Sequence, residues 1–411
     1  MAEIHIEMFP ALEGDSFLIT LGNEDKTNIL IDGGYKETYY HHLKPRLKQL
    51  NQNGERLDLV IVTHIDADHI EGIIELLKEN GDSKKANIIP IKEIWHNSYK
   101  HLQFFKDIKA DLHCSEKTIL VNKICRGYNT SGNKATNQSQ DISAKDGSTL
   151  AALIYAGNYN WNTSFDEKSI STDNKKLIKL NEKVVIRILG PDNSSLKKLS
   201  KFWLRELRKD KYNFKLTDDK LFDDAFEFFL MNQNDFENQN ENDEISSKKY
   251  INEIETLMQK KMVPDNSPVN GSSIAVIIEY KEKKLLFLAD SHPQIVYKQM
   301  HQLVDKYGYN PFFELIKVSH HGSSKNTSVE LLGLVDSPYY FFSTNGKKHK
   351  HPDPETIARI ITRKLPPNIK NRELIFNYPV LNKLFNKQEL QQNYNYSISL
   401  PCEEEIKVLE I

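Results

Sequence analysis

Cysteine is scarce in this chain, whose 411 residues include three. Cys114, Cys125 and Cys402 form no Cys-x-x-Cys pair and no even-numbered set, which argues against a disulfide scaffold and against a zinc ribbon. Glycine (17) and proline (15) are too few for a fibrous or linker-dominated chain. An excess of either charge is lacking as well, because 55 Lys and Arg face 57 Asp and Glu. Nucleic acid could therefore be bound only through a local basic patch.

Long apolar runs are also missing. No run approaches the ~18 residues that cross a bilayer, and residues 1–6 have neither the basic nor the apolar region of a signal peptide. With 27% charged residues, the composition predicts a soluble, cytoplasmic protein without membrane contact. Its length allows two or three domains, or one large domain with insertions.

Hydrophobic periodicity indicates alternating strands and helices. Strands are predicted at 4–9, 16–21, 28–31, 59–62, 91–95, 184–189, 273–279, 284–289, 314–318 and 339–343, with two more in the tail. Helices are predicted at about 39–50 and 70–78. Residues 193–265 differ, because amphipathic helical patterns there flank the polar run 232–243. We interpret 193–265 as an inserted helical segment, either a surface decoration or a partner-binding element, between two halves of one domain, 1–192 and 266–411.

Two histidines and two aspartates cluster directly after the apolar run 59–62: His64, Asp66, Asp68 and His69. In an extended chain alternate residues share a side, so the residues at 64, 66 and 68 are expected to project together. His69 then approaches from the start of the next helix. Such a set can hold a pair of divalent metal ions.

This cluster resembles the His-x-His-x-Asp-His motif of the metallo-beta-lactamase-fold hydrolases, with Asp66 in place of the second histidine. Further matches follow in the family's order: the segment 28–34 with Asp32, the segment 286–290 ending in Asp290, and the segment 317–323 with its His-His-Gly-Ser. Within the family, the chain is most similar to the hydrolase domain of the DNA-uptake protein ComEC and its soluble relatives. The residues that carry this likeness are 14–16, 270–273, 320–323 and His351-Pro352.

The resemblance implies a mixed α/β fold, an αββα sandwich of two facing sheets, here with a helical insertion. It implies two divalent metal ions, Zn²⁺ and/or Mn²⁺, held by His64, Asp66, Asp68, His69, Asp290, His320 and His321. Asp32 would orient the motif histidines, and Asp68, His321 and His351 would act on the substrate. The family's third histidine motif has no clean match; Asp192 is the best-placed substitute and His96 a weaker one.

The activity that the resemblance implies is cleavage of phosphodiester bonds by a metal-bound hydroxide, with DNA or RNA as substrate. Ser323, Ser324, Lys325 and the segment 344–351 would supply donors for phosphate. Two alternatives stay open. The chain could hydrolyse a cyclic nucleotide or another small ester, or it could be a catalytically degenerate subunit that binds a protein partner through 193–265. Metal content and a panel of substrates separate the three.

Overall fold

The computed structural model describes residues 3–102, 149–209, 220–231, 250–367, 369–402 and 405–411. Within them, strands β1 to β14 form two sheets. The strands are Ile4–Met8, Phe17–Leu21, Thr27–Ile31, Leu59–Ile61, Ile94–Trp95, Leu177–Lys179, Val184–Gly190, Ala275–Tyr280, Lys283–Phe287, Leu315–Lys317, Tyr339–Phe342, Arg372–Phe376, Tyr396–Ser399 and Lys407–Glu410. Of the three cysteines, Cys402 is exposed and unpaired, and the other two lie outside the described residues, as does the polar run 232–243.

The first sheet has the strand order β14-β1-β2-β3-β4-β5. β1, β2 and β3 pair antiparallel, whereas β3, β4 and β5 pair parallel. The apolar run that contains β4 supplies both faces of this sheet. Leu59 and Ile61 point into the core between the sheets, and Val60 and Val62 into the core under the helices. A strand covered on both faces explains why this run is continuously apolar.

The second sheet has the order β13-β12-β11-β10-β9-β8-β7-β6. Strands β6 to β9 pair antiparallel, and β9 to β13 pair parallel. Its inner face packs on the first sheet, and the Phe17 ring lies 5.4 Å from that of Phe287 and 6.3 Å from that of Phe341. The two sheets therefore share one central core.

Helices cover both outer faces. On the first sheet lie Lys44–Gln52, Ala67–Asn80, Leu150–Ala156, Asn193–Lys209 and Lys220–Met231. On the second lie Tyr250–Gln259, Pro293–Tyr307, Val329–Leu334, Pro354–Ile361 and Gln388–Tyr394. This arrangement confirms the predicted α/β class and the αββα layering. Among the described residues, no helix has the length and apolar character needed to span a membrane.

The helices of 193–265 divide between the two outer layers. Leu196, Trp203 and Phe226 belong to the core outside the first sheet. Ile254 and Leu257 belong to the core outside the second. The helical character predicted for this segment is thus present, and its helices are part of the sandwich's own layers. Its boundaries as an insertion stay a prediction.

The loops that carry the candidate site residues lie at one edge of the sandwich. β3 and β4 are parallel neighbours, and so are β9 and β10. Because the carboxyl ends of parallel strands meet at the same edge of a sheet, the segments that follow these four strands lie together. They contain Asp32, the motif 63–69, Asp290 and the pair His320-His321.

At the opposite edge, a charge network around the buried Arg372 joins the segments that lead into β11 and β12. The Asp336 carboxylate accepts hydrogen bonds from Arg372 Nη2 at 2.6 Å, Arg363 Nη2 at 3.1 Å and the Tyr340 hydroxyl at 2.8 Å. The Arg372 side chain is fully buried. Burial alone would raise the pKa of Asp336, but its bonds to Arg372 and the charge of Arg363 lower it.

Replacing Asp336 by Asn would leave the buried Arg372 guanidinium without its counter-charge. Breaking a buried pair in this way costs about 3 kcal/mol, so we expect the free energy of unfolding and the melting temperature to fall together. Asp305→Asn is the control, because Asp305 pairs with His301 on an exposed helix face and should change stability by less than about 0.5 kcal/mol. Equal stability of the two variants in urea and thermal denaturation would contradict the role of Asp336.

Candidate metal centre

The motif after β4 changes from extended chain to helix in its middle. Asp66 has extended backbone angles (φ −129°, ψ 145°), and the helix begins at Ala67. The expectation that 64, 66 and 68 project from one extended strand is therefore wrong, because Asp68 lies in the first helical turn, as does His69. The helix also approaches the turn after β3 closely. A Cβ atom added to Gly72 would lie 2.0 Å from the oxygen of Gly33.

Asp32 fixes the orientation of two histidines. Its fully buried carboxylate accepts hydrogen bonds from His69 Nδ1 at 2.8 Å and from the Thr63 hydroxyl at 2.7 Å. Since the hydroxyl hydrogen is directed to Asp32, the Thr63 oxygen accepts from His64 Nδ1, which lies 3.0 Å away. Both rings then carry the proton on Nδ1 and a lone pair on Nε2, the form that binds metals.

Asp290 lies at the middle of the cluster. Its Oδ1 is 3.8 Å from His69 Nε2, and its Oδ2 is 3.9 Å from His64 Nε2. The same Oδ2 lies 3.6 Å from His320 Nε2 and 3.5 Å from His321 Nε2. Four imidazole rings thus surround one carboxylate whose side chain is 3% exposed.

The two adjacent histidines reach Asp290 through a tight turn after β10. His320 and His321 both have positive φ angles, 47° and 54°, which directs two successive side chains to the same side. His321 Nδ1 donates to the backbone oxygen of Ser343 at 2.8 Å, and His320 Nδ1 donates to Asn326 Oδ1 at 2.9 Å. His321 is the more buried ring and also approaches Asp68 Oδ2, at 3.6 Å.

The donor set fits divalent metal ions. In the described part of the chain, the buried Nε2 atoms of His64, His69 and His321 and Oδ1 of Asp290 have no hydrogen-bond partner. Such atoms are costly to bury unless something satisfies them. Ligand atoms lie within 4.8 Å of one another in the set His64, His69 and Asp290, and again in the set Asp68, His69 and His321. Asp66 Oδ2 lies 3.3 Å from His64 Nε2, beside the first set.

The electrostatics of the cluster favour positive charge. Burial lowers the pKa of His69, but the carboxylates of Asp68, Asp32 and Asp290 outweigh burial and raise it well above the usual value. For His321 the same balance, against Asp290 and Asp15, raises the pKa to about 10. Burial raises the pKa of Asp290, yet the surrounding histidines hold it well below its usual range. A cation bound between these side chains would take the place of the protons on His69 Nε2 and His321 Nε2.

Three polar residues of this edge were not predicted as site residues. Asp15 and Lys317 are buried side chains in contact beside His321. Asp265 Oδ2 lies 3.6 Å from His320 Nδ1 and accepts from Asn270 Nδ2 at 2.7 Å. Burial raises the pKa of Asp265, but His320 outweighs this and lowers it. Asp15 and Lys317 lie in the segments 14–16 and 317–323, which carry the family likeness, but the pattern alone assigned neither a role; Asp265 had no signal.

The remaining candidates fall into two groups. His351 lies near the cluster, with its ring centroid 5.6 Å from that of His320, and its Nδ1 donates to Asp353 Oδ1 at 3.0 Å. The two substitutes for the missing third histidine motif are engaged elsewhere. Asp192 accepts from the backbone N–H of Ser195 at 2.8 Å, and His96 Nε2 lies 2.7 Å from Glu227 Oε1.

The predicted phosphate donors differ in exposure. The side chains of Ser323, Thr344 and Asn345 are buried. Lys325, Lys347 and Lys350 are exposed. The structure therefore presents lysines on the loops beside the cluster, while the hydroxyl and amide groups hydrogen-bond within the loops, as where Thr344 Oγ1 accepts from the backbone of Gly346 at 3.1 Å.

Part of the chain is similar to a known protein family. Residues 10–122 match the family model described as Metallo-beta-lactamase superfamily. A comparison with curated protein sequences gives no match.

Two solved structures resemble the whole chain weakly. One is a point mutant of the CmlA beta-hydroxylase, with 9% identity and a TM-score of 0.34 over 100% of this chain and 54% of that one. The other is a long form RNase Z from yeast, with 10% identity and a TM-score of 0.32 over 93% of this chain and 38% of that one. This chain thus spans about half of the first protein and less of the second. At this level of similarity, neither structure supports a conclusion about the function of this chain.

Changing Asp32 to Asn keeps its shape but removes the charge that holds both Nδ1 protons in place. We expect divalent metal affinity to fall by roughly 10- to 100-fold, as for other groups that orient metal-binding histidines. Asp58→Asn is a matched control, because Asp58 is a buried aspartate at the opposite end of the same strand pair and accepts from the backbone of Asn28. Equal affinities of the two variants in a chelator competition assay would refute the role of Asp32.

Proposed function

We propose that this protein is a metal-dependent phosphodiesterase that acts on nucleic acid, similar to the ComEC-type hydrolase domains. The observation that carries the proposal is the convergence of unpartnered Nε2 atoms from His64, His69 and His321 on the Asp290 carboxylate. Buried nitrogen and oxygen atoms without hydrogen-bond partners are costly, and a bound cation would satisfy them. When bound there, divalent ions supply Lewis acidity and make water acidic enough to act as a nucleophile near neutral pH.

The ligands divide into two sets that share Asp290. The first set is His64, Asp66 and His320; His320 Nε2 lies 3.6 Å from the Asp290 oxygen that His64 also approaches. The second set is Asp68, His69 and His321. The family's third histidine motif has no clean match in this sequence. In this assignment His320 takes the place of the metal ligand that such a motif would supply.

Asp68 is the group we assign to proton transfer. Its side chain is 17% exposed, more than that of Asp290 at 3% or His69 at 0%, so it can exchange protons with solvent. His351 is assigned to a phosphate oxygen. Its Nδ1 is paired with Asp353, and a ring protonated on both nitrogens donates from Nε2 to that oxygen.

A local basic patch favours a polyanionic substrate. The exposed lysines Lys325, Lys347 and Lys350 lie on the two loops that carry His320, His321 and His351. No acidic residue occurs between 337 and 352. Because each lysine that contacts a phosphate releases counterions from the nucleic acid, binding through this patch should weaken as salt is raised.

Asp68→Ala and His69→Ala should each abolish phosphodiester cleavage, and Asp68→Ala should leave the fold intact because the Asp68 side chain is partly exposed. We expect a loss of at least about 1,000-fold in rate, because several kcal/mol of transition-state stabilisation disappear and each ~1.4 kcal/mol is tenfold. The assay is a panel of single-stranded DNA, duplex DNA, RNA, cyclic nucleotides and a chromogenic phosphodiester, with added Mn²⁺ or Zn²⁺. His301→Ala, on an exposed helix face, is the control.

The panel also separates the alternative functions. Cleavage of cyclic nucleotides alone would make the protein a small-ester hydrolase. Absence of both metal and activity in the wild-type protein would favour the degenerate, partner-binding subunit and overturn the proposal. Activity of either site variant within a few-fold of wild type would remove that residue from the mechanism.

Asp66 should set the metal preference. A carboxylate oxygen suits Mn²⁺ relatively better than imidazole does, whereas imidazole suits Zn²⁺. We therefore expect stronger activation of the wild type by Mn²⁺ than by Zn²⁺, and a shift toward Zn²⁺ in Asp66→His. Both proteins are titrated from the metal-free form with each ion. Identical metal profiles would mean that Asp66 is not a ligand.

A further inference from the structure

Asp15 is held in place by the backbone around it. Its N–H donates to the oxygen of Asp68 at 3.2 Å, and its own oxygen accepts from the N–H of Gly34 at 2.8 Å. A Cβ atom added to the preceding Gly14 would lie 1.8 Å from the oxygen of Asp68. The Asp15 side chain is therefore fixed beside the helix that carries two of the candidate metal ligands.

Lys317 brings a positive charge into the same space. It is the last residue of β10, three positions before His320, and its side chain is 1% exposed. Its Nζ contacts Oδ2 of Asp15, whose side chain is 2% exposed. A lysine is rarely buried to this extent unless it is paired. Asp15 is its ion-pair partner within the described part of the chain.

The other oxygen of Asp15 faces a metal ligand. Asp15 Oδ1 lies 3.5 Å from His321 Nδ1, which also donates to the backbone oxygen of Ser343 at 2.8 Å. Both neighbours of this nitrogen are acceptors, so the ring proton stays on Nδ1. The lone pair is then on Nε2, directed to Asp68 and Asp290.

Asp15 is itself a group of the kind that binds metals. Together with Asp290 and His321 it forms a set whose ligand atoms lie within 4.8 Å of one another. Its contact with Lys317 competes with that use, because a carboxylate whose charge is balanced by an ammonium attracts a cation less.

We propose that Asp15 and Lys317 are positioning residues of the metal centre. Lys317 keeps Asp15 from becoming a metal ligand, and Asp15 holds His321 with its Nε2 toward the metal. The proposal rests on the metal site of the proposed function, but not on its substrate.

The two residues should act on metal affinity in opposite directions. Lys317→Met removes a positive charge and releases Asp15, so the affinity for divalent ions should rise by about tenfold or more. Asp15→Asn leaves the Lys317 ammonium without its counter-charge beside the centre and removes the negative charge that faces His321 Nδ1, so affinity should fall by about tenfold or more. A pair that merely supports the fold would lower affinity in both variants.

The experiment titrates the metal-free full-length protein with Mn²⁺ and Zn²⁺ against a chromogenic chelator. The spectrum of bound Co²⁺ is recorded as a second readout, and it should change in Lys317→Met because Asp15 joins the ligands. Asp336→Asn is the matched control, since it also removes one partner of a buried ion pair but touches no residue of the centre. It should lower stability and leave affinity unchanged.

Lower or unchanged affinity in Lys317→Met, with an unchanged Co²⁺ spectrum, would overturn the inference. Should that variant not fold, Lys317→Gln removes the same positive charge, so metal affinity should again rise above that of the wild type. A wild-type protein that binds no metal would overturn the proposed function as well. If the wild type binds metal and the Asp15 and Lys317 variants bind it with the same affinity, only the present inference is overturned.

Discussion

The buried carboxylate of Asp290 is the constraint around which the centre is arranged. Four imidazole rings from two distant parts of the sequence come within 4 Å of it, and each ring is held from behind by an acceptor on its Nδ1 side. Asp32 and Thr63 hold the first pair, and Ser343 and Asn326 hold the second. Because these acceptors are buried, the rings cannot turn their lone pairs away from Asp290.

The sandwich explains how such distant segments meet. Each sheet contributes a pair of parallel strands that end at the same edge, β3 with β4 and β9 with β10. The central core between the sheets fixes the two pairs relative to each other, through contacts such as Phe17 with Phe287. The positions of the candidate ligands at this edge therefore depend on side-chain packing in the core between the sheets.

The sequence predicts most of the strands and the principal cluster because both depend on local pattern. The run 59–62 and the motif after it can be read directly, and so can Asp290 at the end of its strand. Asp15, Lys317 and Asp265 could not be assigned, since their roles arise only when distant segments fold together. The helix Pro293–Tyr307 was also not predicted; its mixed polar and apolar face packs on the second sheet. Asp68 was expected on extended chain, and the helix starting at Ala67 places it differently.

The contact between Gly33 and Gly72 limits how far the helix that carries Asp68 and His69 can move relative to Asp32. Backbone meets backbone there with no side chain between, and the N–H of Gly33 donates to the oxygen of His69 at 2.8 Å. The helix cannot slide or tilt to widen or narrow the space beside Asp290. If the proposed metal ions bind here, the space for them would be set by a stiff backbone rather than by loops that adjust to each ion. A Cβ atom at Gly72 would lie 2.0 Å from the oxygen of Gly33, so a larger side chain there would force the helix that carries Asp68 and His69 away from the turn that carries Asp32.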